Sequence, residues 1–447
     1  MDFWRATFTL AVLLPGAIFA ILALLWLMGW VPSERVLTRI TSLTFSLSVL
    51  ALTAIIWRLR AAGVPSIAIT FGNWFAVHDY RFPLTLLADR LSLPFLLLTA
   101  VLSGLIGKFS ATYLHRERGF LRFFLLLQLF AFGSLLAFAA GSLDLLAAGW
   151  EIVGITSVLL IAFFQQRPAP VENGLRVFTV YRACDIGLLV GVFAMHHWAA
   201  NASFANGLPS LNGAQSTMIS LLLLLAAAGK AAQIPFSGWL PRAMEGPTPS
   251  SAIFYGAISI HAGAYLLLRV QPLVTQSMWA SSAVVVIGLL TAIQGTIVGR
   301  ASADAKTSLA YASLTQVGLV FVEIGLGWRW LAVVHILGNA TVRTLQFLRA
   351  PSMLHDYHKM HAAIGGELTP AGRHLAKLFP RRFQLWLYRW AMDRAHLDTI
   401  LDRFVVYPLM RLSNIFAKLD SVGMDGPARG PEPVPLSMQN AASQRSE

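Results

Sequence analysis

The chain has 447 residues, 56% of them apolar and only 12% charged, with a mean hydropathy of +0.64. Length alone would suggest roughly three soluble domains, but a soluble chain carries about 25% charged residues, so soluble, disordered, collagenous and coiled-coil classes are excluded. One cysteine, Cys184, excludes an internal disulfide and a cysteine-based metal cluster; the net charge of +13 (34 Lys and Arg against 21 Asp and Glu) reads as loops facing an anionic leaflet, not as a nucleic-acid surface.

Crossing a bilayer takes about 20 apolar residues as a helix. Runs of that kind predict spans at roughly 8–30, 37–57, 91–113, 120–141, 143–165, 175–196, 215–235, 249–270, 278–299, 305–327 and 329–349. The fold class is thus an all-α polytopic membrane protein of about eleven transmembrane helices. The first run is too long for a cleaved signal peptide. Residues 58–90 are more polar, hold Gly63, Pro65, Gly72 and Asn73, and read as an extracytoplasmic loop able to form a β-hairpin. The segments Gln233–Phe236 and Gly246–Pro249 predict breaks in the central helices.

Past residue 350 the composition changes. Residues 350–447 hold 12 Lys and Arg and 9 Asp and Glu. Helical periodicity runs over 383–419, with Leu397, Ile400, Leu401, Phe404, Leu412, Ile415 and Phe416 as an apolar stripe and Pro408 expected to kink or divide it. Such an amphipathic helix lies on a membrane surface or docks on a partner. The expected organisation is 1–84, N-terminal helices and extracytoplasmic loop; 85–350, a transmembrane unit; 351–420, a cytoplasmic amphipathic docking segment; 421–447, a disordered tail.

Basic residues set the orientation. With the N-terminus outside, inner loops carry Arg35, Arg39, Arg116, Arg118, Arg122, Arg167, Arg176, Arg242, Arg300 and Lys306, and the C-terminus is cytoplasmic. Arg58, Arg60, Arg81 and Arg90 run against that rule. The expected location is a bacterial inner membrane, with the lipid bilayer as the first partner.

Ionisable residues inside apolar helices carry the functional signal. Each costs about 2.5–3.5 kcal/mol at a helix centre on insertion scales, so it survives where it faces a polar interior with partners. Residues 1–349 contain three lysines: Lys108, Lys230 and Lys306. Lys230 sits in LLLLLAAAGKAAQIPF, Glu151 in AAGWEIVGITSVLLIAFF, Arg182 and Asp185 in VFTVYRACDIGLLVG, His261 in AISIHAGAYLLL, and His335 and Arg343 in LAVVHILGNATVRTLQFL. Opposite charges on separate central helices, Glu151 and Lys230, point to a proton or ion pathway. A buried lysine can be loaded or unloaded by a neighbouring carboxylate. The structural alternatives are that Arg182 and Asp185, three apart, merely neutralise each other, and that His261 and His335 are hydrogen-bonded core residues. Lys108 lies near a helix end and can snorkel. Glu323, also near a span end, is expected to have no role.

These residues carry a resemblance. GKAAQIPFSGWLPRAMEGPTPSSAI (229–253) is similar to the antiporter-like proton-channel subunits of respiratory complex I, as are DRLSLPFLLL (89–98), GWEIVGITSVLLIAFF (149–164), YRACDIGLLVG (181–191) and DAKTSLAYASLTQVG (304–318), in the same order. The resemblance implies that Glu151 and Lys230 are the interacting pair, that Arg182 and Asp185 are the charged pair beside it, and that Lys306 and His335 continue a hydrophilic axis. It departs at Tyr255, where the family has a histidine, at Asn339, where a second histidine is expected, and at Arg343, where a lysine is expected. Tyr255 and His261 are read as completing the route, with Arg343 a poor loading site because it does not readily deprotonate. The family's later spans have no counterpart after residue 350, so a pump subunit of the longest type is not expected.

That pattern resembles the membrane subunit of the DAB-type inorganic-carbon transporters. This resemblance implies a large cytoplasmic zinc subunit, chemically akin to carbonic anhydrases, in which proton flow drives hydration of CO2 to bicarbonate. The alternatives are a proton-pumping subunit of a complex I-like or hydrogenase complex and a cation/proton antiporter module. The chain itself carries no quinone, flavin or iron–sulfur motif. No cofactor, catalytic residue or bound metal is expected in it, and no nucleic acid as partner. His355, His358 and His361, three apart beside Asp356, read as a solvated juxtamembrane helix rather than a metal site.

Overall fold

The computed structural model describes residues 2–77, 80–199, 202–204, 207–208, 211–302, 304–364 and 380–423; side chains are described for these except 2, 80, 255–257, 351–364 and 417–423. Among the described residues, eleven helices are long and apolar enough to cross a membrane. They are α1 (Asp2–Leu27), α2 (Glu34–Ala62), α3 (Ser92–Tyr113), α4 (Phe120–Phe138), α5 (Leu143–Ile161), α6 (Pro168–Ala199), α7 (Gly213–Lys230), an interrupted α8 (Thr248–Arg269), α9 (Met278–Ala301), α10 (Ala305–Gly325) and α11 (Arg329–Ile364). Each expected run thus forms a helix. The differences lie at the ends and at the breaks.

The polar loop after α2 does form an antiparallel hairpin, β1 (Ser66–Val77) and β2 (Tyr80–Asp89), with Ser66 opposite Asp89 and Val77 opposite Tyr80. Its base is tied to the turn between α4 and α5: Leu87 N–H donates to Ala139 O (2.7 Å) and Gly141 N–H to Thr85 O (2.8 Å). Ile69, Leu86, Leu87 and Ala88 are buried there, while Phe71, Trp74 and Phe75 are exposed further along β1. The hairpin marks one end of the bundle. Arg176, Arg242, Arg300 and Lys306 lie towards the opposite end.

The expected span 215–235 ends earlier, at Lys230, with Ala232 at positive φ (52°). A helix end leaves carbonyls without partners. Here the Trp239 indole donates to Gly229 O (3.0 Å) and Gln233 N–H to Ala228 O (2.8 Å), so the break is satisfied from within the protein. Short helical turns over Phe236–Gly238, Trp239–Arg242 and Ala243–Glu245 lead to α8. A second interruption, a π-helical turn over Ala252–Ala257, has no proline or glycine cluster to announce it. From Ser259 to Arg269 every residue of α8 is buried, so this broken helix is the centre of the bundle.

The C-terminal segment is not one helix. It comprises α12 (Arg381–Met392), a turn in which Arg394, Ala395 and His396 take positive φ, a short stretch from Leu397 to Val406, and α13 (Tyr407–Gly423). The division therefore falls at 393–396 and not at Pro408. Pro408 lies inside helical backbone that runs on from Leu397 to Gly423, directly after a π-turn at Asp402–Val406. Acidic residues face inward: Asp398 binds Arg242 (2.9 Å) and Arg394 (3.1 Å), and Asp402 binds Arg176. Of the expected stripe, Leu401 is buried, whereas Ile400, Phe404, Leu412, Ile415 and Phe416 are exposed. The backbone of 355–361 is helical, but the side chains of His355, His358 and His361 lie outside the described residues, as does the tail from 424.

Candidate functional site

The centre of the site is where α5, α6 and the end of α7 meet. Ser142 caps α5 by accepting from Leu145 N–H (3.2 Å), which starts the helix that carries Trp150, Glu151 and Gly154. Gly154 allows the close approach. A Cβ there would lie 2.9 Å from Lys230 Nζ and 3.3 Å from an Arg182 guanidinium nitrogen.

Arg182 is held between two carboxylates. It pairs with Glu151 across the α5–α6 contact and with Asp185 (2.7 Å) one turn along α6. Asp185 also accepts from the Trp150 indole N–H (2.6 Å), which fixes both its oxygens. Lys230 is 1% exposed. Its Nζ donates to the carbonyl of Trp150 (3.2 Å) and lies over two rings, 4.4 Å from the centre of Tyr181 and 4.9 Å from that of Trp150. Among the described residues no carboxylate closes an ion pair with it. Glu151 and Lys230, expected to interact, lie in one cluster without a direct ion pair: Glu151 binds Arg182, with Lys230 one step behind. The guanidinium, with its planar fork, takes both acids, and the ammonium keeps a carbonyl and two π faces.

Two acids and two cations make this cluster neutral when Lys230 is protonated. Losing that proton leaves one net negative charge in a site shielded from water, where a charge interacts strongly with its surroundings. Protonation of Lys230 is thereby tied to the position and charge of its neighbours.

The remaining predicted residues form separate groups. His261 is buried and its Nε2 faces Asn339 Nδ2 at 3.1 Å, joining α8 to α11. His335 lies between Glu323 (Nδ1 to Oε1, 2.8 Å) and Gln316 (Nε2 to Oε1, 2.8 Å), joining α11 to α10. Arg343 donates to Gln346 (2.7 Å) and, more weakly, to Ala312 O (3.4 Å). His335, Asn339 and Arg343 are spaced by four and share one face of α11. Lys306 donates to Thr248 Oγ1 (3.0 Å), which also bonds the Tyr113 hydroxyl (3.1 Å), at the end away from the hairpin. The side chain of Tyr255 lies outside the described residues. Lys108 is exposed, in keeping with a snorkelling role.

Sequence reasoning passed over three charged groups. Glu323 is the partner of His335. Asp144 and His196 bond at 3.0 Å near the hairpin end. Asp89 and Arg269 pair at 2.5 Å, and Arg269 also donates to the Tyr265 hydroxyl (2.6 Å), which in turn donates to Phe138 O (2.6 Å). Burial works against the Asp89 charge, but the Arg269 charge and hydrogen bond outweigh it and hold the carboxyl below the usual range. All three groups sit near span ends, where a charge raises no alarm in a sequence. No group of three or more His, Cys, Asp or Glu suited to a metal ion occurs among the described residues.

With this geometry in hand, comparison with known proteins is specific. Residues 140–378 match the family model described as NADH:quinone oxidoreductase/Mrp antiporter, TM, and residues 74–124 match that of NADH-ubiquinone oxidoreductase (complex I), chain 5 N-terminus. The chain is 35% identical over 292 residues to NADH-quinone oxidoreductase subunit L of Mycobacterium tuberculosis (64% of this chain, 46% of that one). It is 31% identical over 374 residues to NADH-ubiquinone oxidoreductase chain 5 of Neurospora crassa (80% of this chain, 52% of that one). It spans about half the length of these curated relatives. Among solved structures, a chain of the Mrp complex from Dietzia sp. superposes with a TM-score of 0.66 at 25% identity, covering 76% of this chain and 37% of that one. A chain of the archaeal membrane-bound sulfane sulfur reductase shares the fold (TM-score 0.66, 21% identity, 76% and 70% covered). With the first family model matched over more than half of its length, this multi-pass membrane protein belongs to the NADH:quinone oxidoreductase/Mrp antiporter transmembrane family.

Proposed function

We propose that the chain conducts protons across a membrane as an antiporter-like subunit of a larger complex. One observation carries this reading: Lys230, fully enclosed at a helix break, has among the described residues no carboxylate in contact yet adjoins a Glu151–Arg182–Asp185 cluster whose charge balance its proton completes. A buried cation kept only for structure would be expected to have a direct acidic partner. The pathway would comprise Glu151, Arg182, Asp185 and Lys230, with Tyr255, His261, Lys306, His335 and Arg343 extending it within 85–350. The chain would contribute transport and no catalytic step. The test is the full chain in liposomes under a potassium diffusion potential, with a trapped pH dye. Proton entry that disappears in Lys230→Ala, with the variant still inserted, supports the reading. Equal entry in both chains rules it out.

The side chains of Glu151 and Arg182 are 28% and 33% exposed on a flank where Ile155, Leu159, Phe178 and Ile186 are also exposed. Partly exposed charges facing lipid are costly, which supports a further membrane subunit against α5 and α6. The relatives named above, drawn from complex I and an Mrp complex, favour a redox-driven or antiporter complex as the setting.

The finer reading is coupling to inorganic-carbon uptake through a cytoplasmic zinc subunit of the DAB type. It rests on the motif resemblance and on the exposed aromatic face of 383–416. Co-purification separates the settings: a large zinc protein, redox subunits or small antiporter subunits would each identify one. Deleting 383–447 should release a cytoplasmic partner if that segment is its platform. The hairpin end is taken as external and the Arg176–Arg242–Arg300 end as cytoplasmic, which labelling of single introduced cysteines would check.

A further inference from the structure

Both nitrogens of His335 face oxygen acceptors: Nδ1 faces Glu323 Oε1 and Nε2 faces Gln316 Oε1, each at 2.8 Å. A neutral imidazole donates through one nitrogen only. Oxygen atoms on both sides fit a ring that donates through both nitrogens, opposite the Glu323 carboxylate. The other carboxylate oxygen, Oε2, is buried and has no hydrogen-bond partner among the described residues. An unused acceptor on a shielded carboxylate is costly unless it has a task.

The surroundings give it a direction. Glu323 lies in the last turn of α10, beside the turn at Leu326–Trp328 on the hairpin end. On the other side, Gln316 and Arg343 line a cleft of about 220 Å³ between α9 and α10 that runs along Thr296, Gly299, Arg300 and Ser308. That volume has room for several waters, at about 30 Å³ each. So the cleft reaches Gln316, the partner of His335 Nε2, from the Arg300 end, and Glu323 lies on the other side of the ring towards the hairpin end. No charged residue of α9 faces the pair among the described contacts. Arg329 at the start of α11 is influenced by the Asp89–Arg269–Tyr265 group.

The geometry points to Glu323 as a proton-accepting terminus of the route, fed by His335. In the step, the Nδ1–H bond of the imidazolium breaks and an O–H bond forms on Glu323. The products are neutral imidazole and neutral carboxylic acid, so no charge is stranded. Nε2–H stays in place during this step; Glu323 then releases its proton at the hairpin end, and a turn of the neutral ring brings the bare Nδ1 to the Gln316 side, where it takes a proton from cleft water. This inference rests on the proton-conduction reading and extends it to a residue that reading does not include.

Two measurements test it on the full chain in bilayers. In 15N-histidine spectra, the resonance lost in His335→Asn identifies the ring. It should show both nitrogens protonated near neutral pH and turn neutral in Glu323→Gln. In the liposome assay, Glu323→Gln should lower proton entry at least about tenfold, while Glu323→Asp, which keeps the carboxyl, should retain most of it. A neutral His335 ring in the unsubstituted chain, or unchanged entry in Glu323→Gln, overturns the inference while leaving conduction through Lys230 standing. No entry in the unsubstituted chain overturns conduction, and this inference with it.

Discussion

Two groups of buried charge in this bundle solve the same problem in opposite ways. Near the hairpin, Arg269 is matched by an acid: Asp89 takes its charge, the Tyr265 hydroxyl takes another N–H, and Asp89 Oδ1 accepts from the backbone of Leu91 and Ser92 at the start of α3. At the centre, Lys230 is left with a carbonyl and two aromatic rings while Arg182 takes both acids. The first arrangement joins β2, α3 and α8. The second leaves a cation whose proton is not committed to one partner. On the proposed reading, an incomplete pairing beside a complete one, and not ion pairing alone, is what marks a functional residue in this membrane domain.

The sharpest way to break this contrast is at Lys230. Lys230→Ala should reduce proton entry at least about a hundredfold with insertion unchanged. Lys230→Arg should fail nearly as badly, because the charge remains and the readily exchanged proton does not. Activity in Lys230→Arg near the unsubstituted level would show that the site needs only a fixed charge. Gly154→Ala tests the same site by volume. Its Cβ would press on Lys230 Nζ and Arg182, and we expect about a tenfold loss of flux; equal rates would mean the two cations are free to move apart.

At the Asp89–Arg269 pair the outcome should reverse. Asp89→Asn should leave the flux within about twofold, yet lower the thermal inactivation midpoint, since breaking a buried pair leaves a stranded charge at a cost of about 3–5 kcal/mol. A large flux defect with an unchanged midpoint would make Asp89 part of the route. The smallest effect is that of acid. The Asp89 carboxyl lies below its ordinary value, so its contribution is complete above about pH 5 and declines as pH falls through that lowered value. The midpoint should therefore fall on acidification in the unsubstituted chain more steeply than in Asp89→Asn.

Much of this was legible in the sequence. Hydropathy located every span, because in lipid a helix must satisfy its own backbone. Isolation in apolar runs marked Lys230, Glu151 and Arg182. What stayed hidden depends on contacts across the fold. Nothing in the run around residue 255 signals a π-turn, which tertiary packing imposes. The choice of Arg182 over Lys230 as the partner of Glu151 depends on how α5, α6 and α7 pack. Glu323 looked like an ordinary helix-end acid until α11 brought His335 against it. The apolar spacing of 397–416 was visible, but the sequence could not say that Asp398 and Asp402 would face the bundle with Leu401 while most of the stripe stayed exposed.

The meeting of Gly238 and Asp398 has a consequence for inheritance. A Cβ at 238 would fall 2.2 Å from Asp398 Oδ1, so the turn after the broken helix and a segment far along the chain share one contact with no room to spare. Lesions at 238, 242 and 398 should then form a single phenotypic class in a genetic screen, however distant on the map. A damaged Gly238→Ala allele should find its suppressors at 398 or its neighbours, where a shorter side chain restores the space.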